Sequence, residues 1–311
     1  MAAEIIRNVN YKNLGWESAA DLYLPPSFDE NRKYPAIVST HPIGSCKEQT
    51  SGNVYAAALA KEGFVVLAFD ASFQGASGGT PRFIEDPGIR VSDIRFAIDY
   101  LVAQPFVDAE RIGALGICGG GGYTIHAAMT DYRIRALTSI TGVNFGRLMR
   151  EGFSGFDPVG MLQKIAAQRT TEAQGAERYI LHYLPPSVEE GKKSGIKDID
   201  VLEATEYYTT ARGQKPNGAG SGLFSFNGAA MGWDAFVAAE MLLTQPLMVV
   251  IGSKPGGFGA YRDGWEIYGR AGSKSKHMVE VEGYSHYDLY DKPEAVSIAL
   301  EKVIPFFKEN L

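Results

Sequence analysis

The run Arg111-Ile-Gly-Ala-Leu-Gly-Ile-Cys118-Gly-Gly-Gly-Gly-Tyr123-Thr-Ile-His-Ala-Ala-Met129 decides how the rest of the chain is read. Ile112, Ala114, Leu115 and Ile117 form a short, nearly unbroken apolar run, which predicts a buried strand. Tyr123 to Met129 is apolar and rich in good helix formers, which predicts a helix. Between them, Gly116-Ile-Cys118-Gly-Gly120 fits the G-x-nucleophile-x-G elbow, with cysteine where serine is usual. A strand that turns sharply into a helix strains its middle residue, and flanking glycines let neighbouring backbone pass closely. The cysteine side chain then stands at a helix N-terminus, where the dipole favours a thiolate. Two plainer readings stand beside this one. A glycine-rich strand-to-helix turn also cradles phosphates, although Gly116 and Gly119 give the G-x-G-x-x-G register poorly. A buried cysteine also serves as a small hydrophobe.

The bulk numbers narrow the classes. The 311 residues suffice for one large α/β domain or a domain with an insertion. A hydrophobic share of 45%, a charged share of 21% and a net charge of −6 describe an ordinary globular protein. With no basic block, nucleic acid and anionic membrane surfaces are poor partners. The N-terminal residues show no signal-peptide core, and no apolar run approaches a membrane span. Cys46 and Cys118 make no disulfide framework, so a reducing cytoplasm is the expected compartment.

Outward from the elbow, strand and helix patterns alternate. Residues 3–9 and 17–24 predict an antiparallel hairpin around Tyr11-Lys-Asn-Leu-Gly15. Strands are expected at 34–41, 64–70, 134–141, 246–252 and 276–282. Helices are expected at 48–61, 91–104, 231–243, 261–270 and 293–310. The alternation breaks after Phe145. Residues 146–231 read as a helical or irregular cap inserted into a core of 1–145 and 232–311. The pattern implies a mostly parallel sheet with helices on both faces and an antiparallel N-terminal edge. Chemistry in such sheets lies beyond the carboxyl ends of the strands.

His286 follows the last strand and is the expected general base for Cys118. His41, His126, His182 and His277 are placed less well. His41 closes the third strand, and the loop Pro42-Ile-Gly-Ser after it is where an oxyanion donor belongs. The expected pair of donors is the N–H of Ile43 and that of Gly119, an arrangement worth about 3 kcal/mol per donor. An acid should follow the strand ending at Gly252. Residues 253–262 hold none, so Asp263 is the first carboxylate available. The chain order nucleophile, acid, histidine is that of α/β-hydrolases.

Four segments carry a family resemblance: His41-Pro-Ile-Gly-Ser-Cys-Lys-Glu-Gln49, Phe69-Asp-Ala-Ser-Phe-Gln-Gly-Ala-Ser-Gly-Gly-Thr-Pro-Arg82, Gly116-Ile-Cys-Gly-Gly-Gly-Gly-Tyr123 and His286-Tyr-Asp-Leu-Tyr-Asp291. The chain resembles the dienelactone hydrolase-related branch of the α/β-hydrolase superfamily, closest to a bacterial and fungal group with polyketide transferases and thiohydrolases. That resemblance covers most of the chain outside the cap and makes a cysteine at the elbow familiar. Cys46 and the acid loop Pro255-Gly-Gly-Phe-Gly259 depart from the group's pattern.

The expected function is therefore a cofactor-free, metal-free hydrolase of a carboxylic ester or thioester. It would work through Cys118, His286 and Asp263 and a covalent acyl-enzyme. Acyl transfer to an alcohol or amine would use the same residues, and a non-catalytic ligand binder would leave the thiol inert. A dinucleotide-binding oxidoreductase ranks last, because no acidic residue follows the glycines at the required spacing on a strand end. Gln74, Arg82, Tyr123 and Phe145 are the candidate substrate contacts. For Arg82 the plainer reading is a surface pair with Glu85 or Asp86, and for Asp70 the capping of the turns at 72–79. Phe145, Phe153, Phe156, Tyr179 and Tyr183 fit either an acyl pocket or ordinary core. The partner is a small-molecule substrate, with a homodimer left open.

Overall fold

The structure is a computed structural model that describes residues 5–152, 157–218 and 220–311. Phe153 and Phe156 lie outside the described residues. Strands β1 (Ile5–Lys12) and β2 (Glu17–Leu24) pair antiparallel, from Ile5 opposite Leu24 to Lys12 opposite Glu17. The chain continues through β3 (Tyr34–Thr40), a π-helical turn (Thr50–Ala56) that runs into α1 (Ala57–Lys61), and β4 (Val65–Phe69). Next come α2 (Pro87–Val102), β5 (Val107–Ile117), α3 (Gly119–Thr130) and β6 (Ile134–Ile140).

An inserted segment follows. It holds α4 (Phe145–Glu151), α5 (Pro158–Ala173), β7 (Ile180–His182), α6 (Val188–Lys193), α7 (Ile199–Thr209), β8 (Ser221–Leu223), α8 (Gly228–Met231) and α9 (Ala239–Leu242). The chain closes with β9 (Leu247–Gly252), α10 (Ala260–Arg270), β10 (Lys276–Val281), α11 (Asp288–Asp291) and α12 (Pro293–Asn310).

Eight strands form one sheet in the order β1-β2-β4-β3-β5-β6-β9-β10. The β1–β2 and β2–β4 pairs are antiparallel and the rest are parallel, as the alternation of strand and helix patterns implies. The apolar strands are buried on both faces. Val65, Leu67, Ile112 and Ala114 pack with α2 and α3 on one side. Val66, Ala68, Leu115 and Ile117 pack with α1 and α12 on the other.

Three expectations are corrected. The helix expected from Val91 starts at Pro87, because the Asp86 carboxylate accepts from the N–H of Gly88 (2.8 Å) and Ile89 (3.1 Å) and caps it. The helix expected over 231–243 is split into α8 and α9. Asn144 donates to Asp234 (2.7 Å) and accepts from the Ala235 N–H (3.1 Å), which diverts that backbone from helical bonding. The inserted segment also carries an antiparallel ribbon, β7 on β8, rather than helices alone.

Candidate active site

The β5–α3 junction forms the expected elbow. Cys118 has φ 55° and ψ −127°, a strained conformation for a residue with a side chain. Hydrogen bonds on both sides hold it there, from the Cys118 N–H to Ile140 O (3.0 Å) and from the Val143 N–H to Cys118 O (2.9 Å). The glycines are needed for contact rather than flexibility. A Cβ on Gly116 would lie 2.2 Å from Gly120 O, and one on Gly120 would lie 2.4 Å from Thr40 O. The helix begins at Gly119, so the four glycines form its first turn.

The Tyr290 hydroxyl and the backbone N–H groups of Gly119 and Ile43 are near enough to the Cys118 sulfur to favour its thiolate. The N–H groups expected as oxyanion donors thus both lie on the Cys118 side chain. They do not produce a low thiol pKa. Burial outweighs them and pushes the thiol up to about 11, so at neutral pH it carries its proton.

His286 sits in the turn after β10, buried among the rings of Tyr287, Tyr290 and Phe258 at centroid distances of 4.8, 5.5 and 6.0 Å. Desolvation lowers its pKa to about 3, so it is neutral and able to accept a proton. Its Nε2 lies 3.4 Å from the Tyr290 hydroxyl, the same group that reaches the Cys118 sulfur. Tyr290 therefore stands between Cys118 and His286. The backbone around it is pinned by Thr50, which donates to Tyr290 O (2.8 Å), and by Tyr55, which donates to Leu289 O (2.7 Å).

Asp263 is placed differently from the expectation. One oxygen accepts from Arg147 Nε (2.6 Å), and the other accepts from Arg147 Nη2 (2.8 Å) and the Asn144 N–H (2.7 Å). Its carboxylate is committed to tying α10 to the start of α4, while His286 Nδ1 has no hydrogen-bond partner among the described residues. Two acids close to the histidine in sequence, Asp288 and Asp291, are also engaged. Asp288 binds the Ser285 N–H and Lys292, and Asp291 binds Arg212.

Of the candidate substrate contacts, only Phe145 lines the pocket described below. Gln74 donates to Ile84 O and to Glu85, and Tyr123 donates to Glu85 under the Arg90 guanidinium. Arg82 binds the carbonyls of Gly75 and Ser77 instead of Glu85 or Asp86, bracing a turn that Asp70 caps through the Ala76 N–H. His41 accepts from the Ala71 N–H (3.0 Å) and is structural. Cys46 is buried beside Glu48 and Asp70, with the ligand atoms of the three within 4.8 Å of one another. Protein donors already bind both carboxylates there, Lys47 Nζ on Glu48 (2.6 Å) and the Lys47 N–H on Asp70 (2.8 Å).

A cavity of about 270 Å³ opens over Cys118. Ile43 and Val143 line its base, with Leu148, Met149 and Met161 from the inserted segment and Phe258 from the loop after β9. No charged side chain among the described residues lines it. Tyr183 is part of this wall, whereas Tyr179 is 49% exposed and packs on Phe224. Arg212 fastens the insertion to the histidine turn through Asp291 and Tyr287 O, and Gln49 binds Gly213 O (2.6 Å).

No protein-family model matches the chain. It is 41% identical over 297 residues to the uncharacterised YcjY of Escherichia coli, covering 94% of each chain. The crystal structure of the hypothetical protein PA2218 of Pseudomonas aeruginosa superposes with a TM-score of 0.87 at 31% identity, covering 100% of this chain and 95% of that one. The α/β hydrolase GrgF of Penicillium sp. sh18 shares the fold, with a TM-score of 0.75 at 17% identity over 98% and 99% of the two chains. Partial matches reach a fungal thiohydrolase and a fungal acyltransferase, over 34% and 48% of this chain. No helix among the described residues is long and apolar enough to cross a membrane. The elbow, the strand order and these relatives agree: the chain belongs to the family of α/β-hydrolase-fold proteins that includes YcjY and PA2218.

Proposed function

We propose that the protein cleaves an ester or thioester of an uncharged, apolar acyl group through a covalent Cys118 intermediate. The observation that carries this reading is the convergence of the Ile43 and Gly119 N–H groups and the Tyr290 hydroxyl on one sulfur at the base of an uncharged pocket. The inserted segment acts as a cap that supplies the pocket wall.

Cys118 Sγ attacks the acyl carbon, and its proton passes by way of the Tyr290 hydroxyl to His286 Nε2. The negative charge that develops on the carbonyl oxygen is held by the Ile43 and Gly119 N–H groups. Imidazolium then protonates the leaving alcohol or thiol as the C–O or C–S bond breaks, leaving the acyl group on Cys118. A water attacks that thioester and gives its proton to neutral His286. Collapse of the second tetrahedral intermediate releases the acid as the C–S bond breaks, and the imidazolium returns its proton by way of Tyr290 to the departing sulfur, restoring the neutral thiol and imidazole. Because thiol and imidazole are both neutral at rest, the cysteine works as a serine does, by general-base activation. The pocket sets the substrate class. An apolar cavity of about 150 Å³ takes benzene, so about 270 Å³ accommodates an aromatic, branched or medium-length acyl group. An acyl group with its own carboxylate would have no counter-charge there.

A panel of p-nitrophenyl esters and acyl thioesters of increasing length, run on wild type and C118A, tests this reading. Turnover that depends on Cys118 and favours apolar acyl groups supports it. Alcohols added to the same reactions reveal acyl transfer through the ester they form. One observation favours a second reading, a non-catalytic binder of apolar ligands. A thiol pushed up to about 11 is a poor nucleophile unless a base assists it.

A further inference from the structure

The mechanism above leaves His286 without the carboxylate that normally orients such a base. The loop after β9, residues 253–259, contains no acid, and Asp263 is held by Arg147. One buried carboxyl nearby has no assigned role. Asp200, at the start of α7 in the inserted segment, is 1% exposed. Its Oδ2 accepts from the Phe258 N–H (2.9 Å), and its Oδ1 has no hydrogen-bond partner among the described residues. A bare carboxylate oxygen in a buried site is costly and calls for an explanation.

A complementary orphan is the buried Nδ1 of His286, which has no hydrogen-bond partner among the described residues. Phe258 links the two residues: its N–H holds Asp200, and its ring stands edge-on to the imidazole at 6.0 Å. The field of Asp200 reaches the Cys118 thiol and Tyr287, whose ring lies 4.8 Å from that of His286. Gly256 shows what the carboxyl replaces. A Cβ built on this residue of the acid loop would lie 2.1 Å from Asp200 Cγ and 2.2 and 2.4 Å from its two oxygens. The Asp200 carboxyl fills the space that a side chain at 256 would take. Asp198 grips the same loop, accepting from the Gly257 N–H (2.8 Å).

We infer that Asp200 provides, from the inserted segment, the carboxylate that orients His286, in the space that Gly256 leaves open. The inference rests on the reading of Cys118 and His286 as a reacting pair. Asp200 is a positioning residue: by accepting the Nδ1 proton it selects the tautomer whose Nε2 faces Tyr290, and it stabilises the imidazolium that forms during attack. Burial raises Asp200 to about 7 and lowers His286 to about 3, so each resists charge alone and gains from being charged beside the other. The titratable groups facing the pair are Asp198 and Glu203 of the insertion and Cys118, Tyr287 and Tyr290 of the core. The reacting set is then complete only when the insertion is docked on the core.

The test compares wild type, D200N, H286A and the double variant D200G/G256D, which returns a carboxylate to the same space from the loop itself. The readouts are kcat/KM on a p-nitrophenyl ester and its pH profile. D200N is expected to lose about 100-fold or more and to displace the acid limb of the profile, with D200G/G256D recovering at least a tenth of wild-type activity. Wild-type kcat/KM and an unmoved profile in D200N, alongside an inactive H286A, would overturn the inference and leave the hydrolase reading standing. A loss in D200N that leaves the profile unmoved and is not recovered by the double variant marks a structural role and also overturns it. If D200N does not fold, the double variant decides alone. Full activity in H286A would remove the hydrolase reading itself.

Discussion

The Tyr290 hydroxyl lies 3.4 Å from His286 Nε2 and also reaches the Cys118 sulfur, so the shortest path for a proton from nucleophile to base runs through it. Removing that oxygen with Y290F leaves the buried ring in place. The expected result is a fall in kcat of about 10- to 1,000-fold, the range of a general acid–base contribution, with little change in thermal stability. Steady-state kinetics beside a melting curve checks both halves.

Burial raises the Cys118 thiol to about 11, so its thiolate form appears only as the pH rises toward that value. Alkylation of Cys118 by iodoacetamide should be slow at pH 7 and climb by nearly tenfold per pH unit up to about pH 10. A rapid, pH-independent rate between pH 5 and 8 would instead signal a preformed thiolate–imidazolium pair. Peptide mass mapping assigns the label to Cys118 rather than Cys46.

Arg147 and Asp263 form a buried pair, with side chains 9% and 0% exposed. D263A leaves the guanidinium without its partner and should destabilise the fold by about 3–5 kcal/mol. Urea unfolding measures that loss. The alkylation rate of Cys118 in the folded fraction should stay within a few-fold of wild type, because Asp263 does not hold His286.

Leu148 and Met149 wall the acyl pocket from α4. L148W should narrow it, cutting kcat/KM for a p-nitrophenyl octanoate by about tenfold or more. Acetate hydrolysis should change by about twofold at most. Equal losses on both esters would place the acyl chain elsewhere.

The fold was legible because its signals are local. Apolar runs such as Phe64 to Phe69, short and rich in β-branched and aromatic residues, read as buried strands between helices, and the glycines around Cys118 fit the strand-to-helix elbow better than a phosphate-binding turn. The positions of Cys118, Ile43 and Gly119 beside one another were readable for the same reason, since each sits at a fixed offset from a strand. The partner of Asp263 was not legible, because chain order does not reveal Arg147, 116 residues away, which holds it. Asp200 was invisible from the sequence: it belongs to the insertion, and only the docked chain brings it over Gly256. Tyr290 lay inside the quoted His286–Asp291 segment, but its role depends on one helical turn returning the hydroxyl toward Nε2. Arg82 and Gln74 looked like pocket residues because they follow a central strand, yet backbone carbonyls and Glu85 take their donors.

The central claim is that an acyl group passes through Cys118. Intact-protein mass spectrometry during the first turnovers of a p-nitrophenyl ester, followed by peptide mapping, tests it most directly. The expected result is a mass gain equal to the acyl group, located on Cys118 and absent from a C118A variant that has no turnover. Full turnover by C118A, or an acyl group found on another residue, would contradict it.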